Sequence, residues 1–257
     1  MHTRGINFLT TVGYRRLAAF LTALVALTAL PALTVLADTV VVYGATGNIG
    51  GKIVAEALDR GHDVIGVSRD RSRLSVDHPN FTAVEGDVND LDSMLQVING
   101  TDVVVLSVRG YGPNNLPEET TNNRSSLTFI QAARQLGEAS PRGIHLGGGS
   151  TLNSNGQLLL ETRSAVEGTE QHGLAWGHWF TLQNYRATDD VNWTVITPSG
   201  GYIPDGERTG TYRTGTDEVL VNADGRPGRI SHRDFAVALV DEIERPQAIG
   251  RRITVGY

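Results

Sequence analysis

The 257-residue chain has no cysteine, which excludes disulfides, thiolate nucleophiles and cysteine metal sites. Lysine is nearly absent: Lys52 is the only one, so the other 21 of the 22 basic residues are arginines. Any chemistry that needs a lysine elsewhere is excluded by counting. Aromatic residues make up 6% of the chain and positive charge is in deficit, with 28 acids against 22 bases. No internal repeat, low-complexity tract or linker interrupts the sequence, and no spacing of histidines and acids marks a metal site. His172 and His178, six apart, do not fit a helical metal pair at i, i+4.

Acids are missing altogether from the first 37 residues, where Arg4, Arg15 and Arg16 precede an apolar run from Leu17 to Leu36. Val35-Leu36-Ala37 places small or modest side chains before Asp38 as a cleavage site requires. The pattern predicts a secretory signal peptide over 1–37, and hence an exported protein, periplasmic or extracellular. The alternative is a membrane anchor, because the run is close to the roughly 20 residues that span a bilayer. Without this leader the chain carries 19 bases against 28 acids. That balance argues against nucleic acid as a partner, and leaves the membrane a role only through an uncleaved N-terminal segment.

What is present is a nucleotide-binding signature. Val40-Val41-Val42-Tyr43 reads as a buried strand, Gly44-Ala45-Thr46-Gly47-Asn48-Ile49-Gly50 as a tight turn, and Asn48 to Arg60 as a helix. A diphosphate can approach the backbone only where side chains are absent, and a helix N-terminus offers it free N–H groups. A second apolar run, Val64-Ile65-Gly66-Val67, arrives at the distance of a βαβ unit. Strands and helices then alternate through 81–146, which predicts a parallel sheet with helices on both faces. A helix is expected over Thr120–Gly137, with Leu127, Ile130, Ala133 and Leu136 at helical spacing. A polar loop to Ser164, a helix over Thr169–Ala187, a strand at Trp193–Ile196 and a hairpin at Thr211–Asn222 follow. A final helix starts at Ser231 and a last strand covers Ile253–Gly256, giving one domain over 38–257.

The position after the second strand decides between the two dinucleotides. An acid there bonds a free ribose hydroxyl, and an arginine neutralises a 2′-phosphate. Ser68-Arg69 falls at that position with Arg71 and Arg73 behind it, so NADP(H) is preferred over NAD(H). Topology puts Asp87 and Val88 against the adenine and Ser107 and Val108 against the second ribose and nicotinamide. Gly44, Thr46, Gly47, Asn48, Ile49 and Arg69 complete the cofactor set.

The glycine turn, Val67-Ser68-Arg69-Asp70-Arg71-Ser72-Arg73-Leu74 and Gly86-Asp87-Val88 together resemble the atypical short-chain dehydrogenases. The closest likeness is to the NAD(P)H-binding, NmrA-like group that includes biliverdin and flavin reductases. Trp193–Pro198, Arg229–Ala236 and Arg252–Tyr257 resemble the same branch. The resemblance implies a Rossmann-type doubly wound α/β sheet with a small C-terminal substrate lobe. It also implies an oxidoreductase that transfers hydride from NADPH to a flavin-like or other conjugated small molecule.

One departure matters. Typical short-chain dehydrogenases pair Tyr-x-x-x-Lys so that the phenol can pass a proton, yet Tyr185 is followed by Arg186-Ala187-Thr188-Asp189. The flavin-reducing branch works without that pair, by holding donor and acceptor face to face. The alternative is a non-catalytic NmrA-like NADP(H)-binding redox sensor or interaction protein. The resemblance places Ser150 beside the nicotinamide as the catalytic candidate. Arg109, Tyr111, Trp176 and Pro198 are the candidate walls of the acceptor pocket, and His172, His178, Trp179 and Phe180 fall in the same stretch.

Overall fold

The computed structural model describes residues 37–162 and 166–257. The predicted leader lies outside the described residues apart from Ala37. In chain order the elements are β1 (Thr39–Tyr43), α1 (Gly50–Asp59), β2 (Asp63–Ser68), β3 (Phe81–Glu85), α2 (Leu91–Ile98) and β4 (Val103–Leu106). Then come α3 (Thr121–Leu136), β5 (Arg142–Leu146), α4 (Glu170–Arg186), β6 (Trp193–Pro198), β7 (Arg213–Gly215), α5 (His232–Glu244) and β8 (Arg251–Gly256).

All eight strands form one sheet in the order β7-β8-β6-β5-β4-β1-β2-β3. The order reverses at β1, which pairs in parallel with both β2 and β4. β1 is central because Val40, Val41 and Val42 are fully buried and a strand with two covered faces needs apolar residues throughout. Alternation sends Val40 and Val42 toward Ile53, Ala57, Phe235 and Leu239 of α1 and α5. Val41 and Tyr43 face Met94, Phe129, Leu182 and Tyr185 of α2, α3 and α4. Each fully buried valine contributes about 1.5–3 kcal/mol relative to exposure. Glu56 ties α1 to the far loop through Arg208, and Arg60 joins Glu56 to Asp241 and Glu244 of α5.

Several expectations are corrected. The predicted hairpin at Thr211–Asn222 does not form; Arg213–Gly215 instead pairs antiparallel with Thr254–Gly256 of β8. The open edge of β8 captures the segment, so the sheet is parallel except for this edge strand. The stretch from Gly147 is not a plain loop: Asn153–Ser154 pairs with Gln157–Leu158, and a single helical turn covers Leu159–Thr162. α1 starts at Gly50 rather than Asn48, because the turn extends through Ile49. On α3 the buried stripe runs through Ser125, Ser126, Phe129, Ala132 and Ala133, which leaves Leu127 exposed.

Candidate functional site

The carboxyl ends of β1 to β5 open into a cleft of about 1060 Å³. A sheet of this topology leaves such a crevice at the strand where its order reverses, which here is β1. The glycine turn forms its floor. Gly44 has φ +79°, and a Cβ there would lie 2.1 Å from the Ser107 carbonyl oxygen. A Cβ on Gly50 would lie 2.1 Å from the Gly44 carbonyl oxygen. These two glycines let the loops after β1 and β4 meet, and let α1 start against the turn. The Gly47 N–H closes the turn on the Gly44 carbonyl at 2.9 Å.

α2, α4 and α5 begin with capping side chains, Asp90, Thr169 and Ser231. α1 and α3 have none, and Ile49 sits at the α1 cap without a side-chain hydrogen bond. Among the described residues nothing accepts from the N–H groups of Asn48, Ile49 and Gly50. These donors, with the positive end of the helix dipole, fit a diphosphate.

Arg69, Asp70 and Arg73 line the cleft where β2 ends. The Asp70 carboxylate is committed to its own turn, accepting from the Ser72 N–H at 3.0 Å and the Ser72 hydroxyl at 2.6 Å. Those bonds hold its carboxyl below its ordinary value. Arg69 and Arg73 make no ion pair among the described residues, whereas nine other arginines do.

Of the residues predicted from sequence, Gly44, Thr46, Gly47, Asn48, Ile49, Arg69, Asp87, Val88, Ser107, Val108, Arg109 and Tyr111 all line this cleft. Ser150, Trp176 and Pro198 do not. Ser150 belongs to a single turn over Gly149–Thr151 that Arg252 anchors through Thr151. Pro198 is buried at the end of β6. Trp176 packs between His172 and Phe180, with ring centroids 6.2 and 6.3 Å away. His178 lies two residues further along α4, about 200° around the helix, and faces the cleft instead.

The cleft is also lined by residues the linear reading weighed little or missed: Thr121, His178, Tyr202 and His232. His178 rests on Gly148, where a Cβ would come within 2.7 Å of its ring. Burial and then the nearby Arg109 push its pKa down to about 4, so the ring is neutral at neutral pH. Its Nδ1 is buried without a partner among the described residues. Tyr202 meets His232 and Phe235 edge-on at 5.0 and 5.2 Å. Arg109 leans over the Tyr111 ring, 5.8 Å from its centroid.

Tyr185 and Lys52 are remote from each other's chemistry. Tyr185 is buried, stacks on Trp193 at 5.3 Å and bonds the His145 Nδ1 at 3.1 Å, while Lys52 is exposed on α1. Tyr185 is thus a core residue.

Residues 44–246 match the sequence pattern of a family described as NAD(P)H-binding. The chain belongs to that family. The uncharacterised protein YwnB of Bacillus subtilis is 29% identical to this NAD(P)H-binding protein over 83% of its length and 96% of YwnB. Among solved structures, one provisionally named an NADH-flavin reductase, from Streptococcus pneumoniae, is 28% identical with a TM-score of 0.70, covering 85% of this chain and 99% of that one. One provisionally named an exported protein, from Burkholderia pseudomallei, is 30% identical with a TM-score of 0.70, covering 86% and 100%. A Bacteroides thetaiotaomicron protein provisionally named an epimerase is 28% identical with a TM-score of 0.73, covering 86% and 97%. These likenesses agree with a Rossmann-like, atypical short-chain dehydrogenase.

Proposed function

We propose that the protein is an exported NADPH-dependent reductase that passes hydride directly to a flavin-like or other conjugated acceptor. The observation that carries the reading is the continuity of the cleft. It runs from Arg69 and Arg73, which make no ion pair among the described residues, past the uncapped start of α1, to a pocket walled by His178, Tyr202 and His232. Bound NADPH supplies an electron pair and a proton together as hydride, and the acceptor takes a second proton from water. The protein's part is to hold the two rings in contact and exclude water from between them. A conjugated acceptor spreads the negative charge it receives, so no tyrosine–lysine proton relay is needed. Arg109 at the mouth favours an anionic acceptor, and neutral His178 offers it a hydrogen bond rather than a charge.

The preference for NADPH rests on Arg69 and Arg73; the relative from Streptococcus is named for NADH. Export rests on the acid-free leader pattern and on the Burkholderia relative. The test is oxidation of NADPH by purified protein with FMN or riboflavin as acceptor. Turnover that is faster with NADPH than NADH supports the reductase. Tight nucleotide binding without turnover of any conjugated acceptor refutes it and leaves a redox sensor.

A further inference from the structure

Eight side-chain polar atoms among the described residues are buried without a hydrogen-bond partner, and three of them belong to residues that line the cleft. One is the His178 Nδ1 at the acceptor end. The other two are the hydroxyl of Tyr43, the last residue of β1, and the carboxamide oxygen of Asn89, in the turn between β3 and α2 that also holds Asp87 and Val88. An unpaired buried hydroxyl is a net cost that phenylalanine would avoid at nearly the same volume. Tyr43 is otherwise a core residue, 2% exposed and packed with Val67, Val88 and Met94. Its hydroxyl has no role within the described fold.

We propose that Tyr43 and Asn89 read the base of the cofactor, selecting adenine over a 6-oxopurine. The proposal rests on the nucleotide occupying the cleft with its adenosine end at β2 and β3. Adenine presents an exocyclic amino donor beside ring-nitrogen acceptors. The Asn89 carboxamide oxygen can only accept, so it takes the amino group. The Tyr43 hydroxyl donates to a ring nitrogen; burial and then the neighbouring Asp87 keep its proton in place. The Asn89 backbone N–H donates to the Asp87 Oδ1 at 2.9 Å, which fixes the turn that carries the side chain, and of the two carboxamide atoms only the oxygen is buried without a partner among the described residues. A 6-oxopurine turns a carbonyl toward the Asn89 oxygen, and two acceptors repel.

The experiment is a fluorescence titration of the full protein, Tyr43→Phe and Asn89→Ala with three probes. They are NADPH, its hypoxanthine analogue, and reduced nicotinamide mononucleotide, which has no adenosine. The proposal predicts that each variant weakens NADPH about three- to tenfold, the range of one lost hydrogen bond. It predicts no change for the mononucleotide. It also predicts that wild type prefers NADPH to the hypoxanthine analogue and that Asn89→Ala loses most of that preference. A purely structural tyrosine would lower the melting temperature of the nucleotide-free protein when changed to phenylalanine; here that temperature holds or rises. Unchanged NADPH affinity in both variants, or equal weakening of the mononucleotide, overturns the base-reading pair. Failure of the wild type itself to bind NADPH overturns the cofactor reading beneath it, a distinguishable result.

Discussion

Replacing Arg69 and Arg73 with alanine tests the cofactor preference most sharply. Both line the cleft where β2 ends, both lack an ion pair among the described residues, and the adjacent Asp70 carboxylate is occupied by Ser72. A 2′-phosphate arriving there gains charge-assisted hydrogen bonds from a planar guanidinium fork, while a bare hydroxyl gains nearly nothing. Such a bond contributes about 1.5–3 kcal/mol, or roughly 10- to 150-fold in affinity. Because both side chains are exposed, the lower end applies: about tenfold for each single variant and about 30- to 100-fold for the pair. The assay is a nucleotide titration of each variant with NADPH and NADH at two salt concentrations. NADPH affinity should fall with NADH nearly unchanged, and the wild-type preference should shrink at higher salt. An equal loss for both nucleotides, or no loss for NADPH, would refute the assignment of these arginines to the phosphate.

Other outcomes follow from the same geometry. Gly44→Ala places a Cβ against the Ser107 carbonyl at a positive φ, so it should cost at least about 2 kcal/mol in chemical denaturation and abolish nucleotide binding. Tyr185→Phe leaves the buried His145 without its partner and should cost about 1–3 kcal/mol of stability, yet leave turnover with FMN unchanged. Loss of turnover in a folded Tyr185→Phe protein would reinstate a catalytic tyrosine. Burial holds His145 down to about 3, with a smaller push from His178, and burial with Arg109 holds His178 at about 4. The unfolded chain therefore takes up protons that the folded chain refuses, and stability falls as pH drops below the histidine range. Denaturant unfolding should show a loss of up to about 1.4 kcal/mol per pH unit per histidine between about pH 6.5 and pH 4.

The nucleotide half of the fold was legible because its signals are local. Three valines, a glycine turn and a second apolar run lie within 30 residues, and each constrains the next. The rest of the cleft was not, because its parts come from far apart. His178 comes from α4, where aromatic and polar residues alternate without a clear apolar stripe, so the sequence does not show which side faces the cleft. Tyr202 and His232 are brought together by the start of α5 and its contact with Phe235. Edge pairing of Arg213–Gly215 with β8 spans some 40 residues, and a local reading favours a hairpin there instead. Tyr43 was visible as the last residue of β1, but its unpaired hydroxyl is a property of packing.

Anaerobic single-turnover reduction of FMN by the NADPH-loaded protein tests direct hydride transfer most closely, with NADPH and with NADPH deuterated at its transferable position. The account predicts bleaching of the flavin that is slower with the deuterated cofactor. Binding of both molecules with no bleaching, or bleaching at the same rate with either cofactor through every accessible substep, would contradict it.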